Sequence, residues 1–546
     1  MKSLSTSLLL ALTLASTAHS AAISPRSSAP EVTIKNGTLT GLSLTSFGQE
    51  AFLGIPFAQP PVGDLRLRRP QRLNTSYEGT YEAKGYSPFC PGFGSDNWAY
   101  EADEDCLYLN VVRPEGTSSD SKLPVGVWIY GGGYQEGGSG DHRYNGSWIV
   151  SRSIEMSKPI IFVSINYRTA AGGFLDSAEL RKEGNTNNGL HDQRLALEFI
   201  QENIEAFGGD REKVTIWGES AGAMSVSSHL LAYGLTTTPL FRAGILQSGS
   251  PTTENYLSVN DSKADYDSIL QATGCSNSTA NGTALACLRG LSAEAFNSSV
   301  AGTSWMPVID GEIVPDYPTA QMEEGRFVQV PLLLGANSDE GTAFGARGIN
   351  TTEQLKGALT GRYPNLSNSS IDKILQLYPD DPSVGSPYNT GDGYLSTGLQ
   401  DKVSCSIFGD ISMVAPRRLL AERASSQNPV FSYRFNQVTQ NMSMETGVTH
   451  FQEVAYVFSN PLPTQNPLGN RPTDLSLAKL MTSYWISFIH DLDPNGNEYP
   501  DAPNWPDYAS SASNLVFERQ ASYLEKDDWR AEGMAFINQL GKELGH

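Results

Sequence analysis

An α/β fold, with a large and mostly parallel central sheet covered by helices on both faces, is what this sequence predicts. Three observations carry that expectation. Short apolar runs alternate with stretches of helical periodicity along the chain. Those runs are apolar almost throughout, as parallel strands covered on both faces require. No internal repeat or low-complexity linker cuts the 546 residues into parts.

The expected strands are, in order, Val125–Tyr130, Ile160–Asn166, Val214–Trp217, Ala243–Gln247, Pro331–Gly335 and Val430–Phe435. Between the second and third, Asp192–Ile204 repeats apolar residues at helical spacing. Two Ser/Thr/Asn-rich stretches, near 276–300 and 350–390, read as surface excursions on a single domain spanning 21–546.

Composition narrows the function. With 39% hydrophobic residues the chain is not disordered. Its 38 basic and 59 acidic side chains give a net charge of −21, which repels phosphate backbones and anionic headgroups. Nucleic acid is therefore not an expected partner, whereas neutral esters, sugars and uncharged lipid interfaces stay open. Residues 1–20 read as a secretory signal, with Lys2, the apolar run Leu8–Ala15 and the small-x-small site Ala18-His19-Ser20. That run is too short to cross a bilayer, and no later one is long enough. Eleven N-x-[ST] sequons, at Asn36, Asn74, Asn145, Asn260, Asn277, Asn281, Asn297, Asn350, Asn365, Asn368 and Asn441, agree with a secreted, N-glycosylated protein. Five cysteines fit the same compartment: the simplest pairing closes two local loops, Cys90–Cys106 and Cys275–Cys287, each worth about 3 kcal/mol of chain entropy. Cys405 is left over as a buried thiol.

The strongest chemical signal is Gly218-Glu219-Ser220-Ala221-Gly222, between an apolar strand and a helix-compatible run. A strand, a sharp turn and a helix around G-x-S-x-G form a nucleophile elbow, which exposes the Ser220 hydroxyl and aims the Ala221 amide at a developing oxyanion. Seven histidines make the search for a base short. His19 leaves with the signal, His142 and His191 precede the serine, His229 lies far along the elbow helix, and His546 is expected to fray at the chain end. His490 closes a helical pattern, where a histidine is usually structural. His450, in a loop after the last expected strand, is the better base. An orienting acid is expected just beyond Pro331–Gly335, where spacing does not separate Asp339 from Glu340. Gly131-Gly132-Gly133-Tyr134 follows another strand, and its bare amides suit an oxyanion hole. A dinucleotide loop fails there because Glu136 takes the last glycine's place.

Together with blocks such as FLGIPFAQPPVGDLRLRRPQ at 52–71, EDCLYLNV at 104–111, VTIWGESAGAMSV at 214–226, LLLGANSDEG at 332–341 and THFQEVAYVF at 449–458, these residues resemble the type-B carboxylesterase/lipase family of α/β-hydrolases, which includes cholinesterases and fungal lipases. The likeness runs over roughly 30–545. It implies an α/β-hydrolase fold and a triad of Ser220, Glu340 and His450, with Glu340 preferred to Asp339. It also implies an oxyanion hole of Gly132, Gly133 and Ala221, and places both cysteine pairs where the family has its first two disulfides. No cofactor or metal is implied.

The implied activity is hydrolysis of carboxylic esters through an acyl-enzyme. In related lipases the first disulfide loop is much longer and forms an apolar lid. The short, acidic Cys90–Cys106 loop points instead to an esterase for smaller esters, with a lipase or sterol esterase as the alternative and a non-catalytic adhesion or binding protein as a remote one. Trp98, Tyr134, Trp305 and Phe344 are candidate substrate-pocket walls. Two patterns are refused: Asp491–Gly496 opens like a calcium loop but has Ala502 where a bidentate Glu is required, and His450-x-x-Glu453 has no further metal ligands beside it.

Overall fold

The computed structural model describes residues 29–256, 259–440, 442–461 and 468–546. The expected signal peptide and the Asn441 sequon lie outside them, as do the side chains of Asn260 and Asn281.

An eleven-stranded sheet organises the chain. Its strands are β1 (Leu42–Leu44), β2 (Gln49–Pro56), β3 (Tyr108–Pro114), β4 (Leu123–Ile129), β5 (Ile161–Ile165), β6 (Gly209–Glu219), β7 (Ala243–Gln247), β8 (Leu332–Asn337), β9 (Val430–Phe435), β10 (Ser513–Phe517) and β11 (Tyr523–Lys526). The spatial order is β11-β10-β9-β8-β7-β6-β4-β5-β3-β2-β1. From β5 to β10 neighbouring strands are parallel; β1, β2 and β3 at one end and β11 at the other are antiparallel. A separate three-stranded sheet joins Glu31–Ile34, Gly37–Thr40 and Thr80–Glu82.

All six strands read from apolar runs are present, two of them, Ala243–Gln247 and Val430–Phe435, with the expected ends and four with ends shifted by a few residues. The largest shift is at β6, which starts at Gly209 because Gly209 pairs with Leu123 of β4 ahead of the apolar stretch. The parallel strands are buried on both faces, which is why their sequences do not alternate. Helices α1 (Asn188–Asn203), α2 (Ala221–Leu231), α3 (Asp401–Gly409), α4 (Gln452–Val457) and α5 (Pro472–Asp491) pack around them. Trp128 of β4 and Trp217 of β6 pair across neighbouring strands, edge to face at 4.8 Å, and Phe458 stacks on Trp217 at 4.9 Å.

One expectation changes, and the Ser/Thr/Asn-rich surface stretches gain detail: they are partly helical, with their hydroxyls capping the helices. Ser292 accepts from the Ala295 amide, Ser367 from that of Ser370, and Thr351 forms a capping box with Gln354. His546 does not fray. It is 4% exposed, its amide bonds Gly541 O, and the neighbouring Gly545 carbonyl accepts from the Tyr256 amide.

Candidate active site

The candidate triad and oxyanion groups leave from the carboxyl edge of the parallel strands. Ser220 follows β6 directly, and α2 begins at Ala221. At φ 55° and ψ −125°, Ser220 sits in a backbone region costly for a residue with a side chain, about 1–3 kcal/mol. The turn is held because the Ser220 amide donates to Gln247 O at 2.9 Å and its carbonyl accepts from the Met224 amide at 2.9 Å. The flanking glycines are sterically required: a Cβ on Gly222 would lie 2.0 Å from Ile129 O, and one on Gly218 2.3 Å from the Gly222 carbonyl carbon.

Glu340 stands three residues past the end of β8 and is wholly buried. Its Oε1 accepts from the Ser248 hydroxyl at 2.5 Å and the Asn337 amide at 2.8 Å, while Oε2 lies 2.7 Å from His450 Nδ1. Asp339 does something else. Its carboxylate accepts from the Val448 and Tyr388 amides, both at 2.8 Å, and from the Ser386 hydroxyl at 3.1 Å, tying two loops together next to His450. The choice that spacing left open is thus separated by geometry: Glu340 contacts the imidazole and Asp339 clamps its loop.

The remaining imidazole nitrogen, Nε2, lies 3.2 Å from Glu219 Oε1, the carboxylate immediately before Ser220. No hydrogen bond joins the Ser220 hydroxyl to Nε2 among the described residues; catalytic hydrogen bonds often tighten only with substrate in place. Phe344 meets the His450 ring edge-on at 4.8 Å.

A buried acidic cluster sits beneath the imidazole. Glu453, on α4, accepts from Gln247 Nε2 at 3.0 Å and Asn337 Nδ2 at 2.7 Å, and the Gln247 oxygen in turn accepts from Trp217 and Trp485. Burial pushes the Glu219 carboxyl well above the usual carboxylate range, against the pull of His450. Burial disfavours the charged imidazole, yet Glu219, Glu340 and Glu453 together outweigh that and lift His450 to about 9.

Gly131-Gly132-Gly133 follows β4 beside the elbow. Gly132 (φ 96°) and Gly133 (φ 59°) both take left-handed conformations. Their amides donate to no acceptor among the described residues, and a Cβ on Gly133 would meet open space. Ala221 is the first residue of α2, where amides have no intrahelical partner.

The proposed pocket walls separate. Tyr134 is fully buried beneath the glycine loop, edge-on to Phe174 at 4.9 Å. Trp305 is 3% exposed and packs on that loop through Gln135. Trp98 is 85% exposed, so its placement as a wall is corrected: the short loop holding it leaves the indole in solvent. Both cysteine pairs are disulfide-bonded, and Cys405 is buried with its thiol pushed up to about 12 by that burial. Of the other histidines, burial drives His191 and His229 down to about 3, consistent with packed neutral rings. No group of side chains able to hold a metal occurs among the described residues.

Sequence reading missed Glu219, Ser248 and Glu453 as parts of this cluster. Glu219 was visible as the variable residue of the elbow motif, and Glu453 stood three residues after His450. Ser248 had no local signal, because only the pairing of β7 with β8 brings it to Glu340.

A strand–elbow–helix at the carboxyl edge of such a sheet, with an acid–imidazole pair beside it, defines an α/β-hydrolase. The chain belongs to the carboxylesterase family, whose model matches residues 28–536, and it is a carboxylic ester hydrolase. It is 34% identical to a secreted triacylglycerol lipase of Gibberella zeae, over 95% of this chain and 91% of that one. It is 35% identical to Lipase 2 of Geotrichum candidum, over 89% and 91%. The crystal structure of Aspergillus niger EstA superposes with a TM-score of 0.84 at 30% identity, covering 95% of this chain and 99% of that one.

Proposed function

We propose that this chain is a secreted serine carboxylesterase that hydrolyses its ester through an acyl-enzyme on Ser220. The observation that carries the reading is the 2.7 Å contact between Glu340 Oε2 and His450 Nδ1, which leaves Nε2 turned towards the elbow. His450 takes the Ser220 proton as Oγ attacks the ester carbonyl, and Glu340 stabilises the imidazolium. The Gly132, Gly133 and Ala221 amides receive the tetrahedral oxyanion, each donor being worth about 3 kcal/mol. The alcohol departs with the proton from His450, and water, deprotonated by the same imidazole, releases the acid.

Secretion is supported by the expected signal peptide and by relatives named as secreted lipases. No helix among the described residues is long and apolar enough to cross a membrane. A second reading, a lipase acting on long-chain esters, is favoured by those same relatives; the short disulfide loop favours smaller esters.

Labelling with a fluorophosphonate tests the chemistry. Covalent capture at Ser220, lost in Ser220→Ala, supports it. A folded protein that takes no label refutes it and favours a non-catalytic binding protein. Rates on p-nitrophenyl esters of rising chain length, triglyceride and cholesteryl ester separate the two enzyme readings.

A further inference from the structure

The segment that follows the proposed oxyanion glycines is fixed at every residue. The Tyr134 carbonyl accepts from the Ala170 amide at 2.7 Å. The Gln135 side chain bonds the Trp305 backbone, and its own carbonyl accepts from the Phe93 amide at 2.8 Å. Glu136 Oε2 accepts from the Asp96 amide at 2.6 Å, and the Gly137 amide donates to Asn97 Oδ1 at 2.8 Å. Three of these contacts come from residues 93–97, inside the Cys90–Cys106 disulfide loop.

Glu136 is the hinge of this arrangement. Its backbone folds over the first proposed donor: a Cβ on Gly132 would lie 2.4 Å from Glu136 O and 3.0 Å from its Cγ. Its carboxylate covers Gly94 so closely that a Cβ there would lie 2.0 Å from Oε2. Asp96, whose amide it holds, is anchored from the far side by Arg143 at 2.8 Å, and Arg143 is itself paired with Asp141. Glu136 thus meets an oxyanion glycine through its backbone, whose amide donates to Gly132 O at 3.2 Å, and the disulfide loop through the tip of its side chain.

We propose that Glu136 is a positioning residue, locking the Gly132–Gly133 amides to the disulfide loop and so holding the two donors in place for the oxyanion. This rests on the reading of those amides as oxyanion donors.

The test compares wild type, Glu136→Ala and Glu136→Gln on p-nitrophenyl butyrate. It adds the affinity of a trifluoromethyl ketone, whose hemiketal oxyanion occupies the hole, and thermal melting. Misplacement of donors by about 1 Å costs up to about 10²-fold, so Glu136→Ala is expected to lower kcat at least about tenfold. Ketone affinity should fall by a similar factor, with KM and melting temperature nearly unchanged. Glu136→Gln, which still accepts from the Asp96 amide, restores most of both. Unchanged kcat and ketone affinity in Glu136→Ala, or losses that only track a lowered melting temperature, overturn the proposal. A wild type that binds the trifluoromethyl ketone no better than its methyl counterpart overturns it at its premise, the oxyanion reading itself.

Discussion

Glu340→Gln and Asp339→Asn are adjacent, nearly isosteric changes for which the structure gives opposite outcomes. In Glu340→Gln one amide oxygen still accepts from Asn337 N and Ser248 Oγ, which fix Oε1 at 2.8 and 2.5 Å. The amide NH2 then replaces Oε2, 2.7 Å from His450 Nδ1. A donor facing Nδ1 selects the tautomer protonated on Nε2, which has no lone pair for the Ser220 proton. The comparable change in other triads costs about 10⁴-fold in kcat, about 5.5 kcal/mol. Asp339→Asn keeps one acceptor and sets its NH2 against a backbone amide, at either Val448 or Tyr388. That inversion costs about 1–3 kcal/mol of stability and leaves the imidazole's partner intact. The assay is kcat/KM on a p-nitrophenyl ester beside thermal melting for each variant. If Glu340→Gln keeps a tenth of wild-type turnover, or if Asp339→Asn is the one that loses activity without losing stability, the assignment of roles is refuted.

Other outcomes follow from the same geometry. As the proposed base, His450 would act only when neutral, so kcat/KM should climb with pH through a value above the ordinary 6.5 of histidine and towards about 9; Glu219→Gln, which removes one of the carboxylates raising it, should move that limb to lower pH. A limb that stays in place excludes Glu219 as a cause. Gly222→Ala drives a methyl to 2.0 Å from Ile129 O, so melting should fall by the equivalent of about 1–3 kcal/mol or more, with turnover lost. Trp98→Ala removes an indole that is 85% exposed, and kcat/KM on short esters should stay within about twofold, as for surface changes generally.

Much of this was legible from the chain because the physics is local. Buried parallel strands leave unbroken apolar runs, and a turn tight enough to need glycine on both sides of a serine writes itself as a motif. With few histidines, elimination reached His450. What stayed illegible depends on strands meeting. Asp339 and Glu340 are neighbours with the same chemistry, and only the fold turns one towards an imidazole and the other towards the 448 and 388 amides. Glu453 looks in sequence like half of a metal pair; in space it is the acceptor of a buried amide network under the site. Trp98 was misread because an aromatic residue in a loop carries no mark of which way it faces. The helices inside the polar stretches were not legible because a serine that caps a helix is spelled like one that solvates a loop.

The site's parts lie far apart in the chain, from the glycines after β4 through the β6 elbow and the acid past β8 to the imidazole beyond β9. A ribosome that has delivered the elbow has still to make the base, and β9 must dock before the imidazole can reach its acid. Assembly through such distant pairings is intrinsically slow. On the proposed triad an unfinished polypeptide lacks its base, so turnover can serve as a readout that the last parallel strands have found their places.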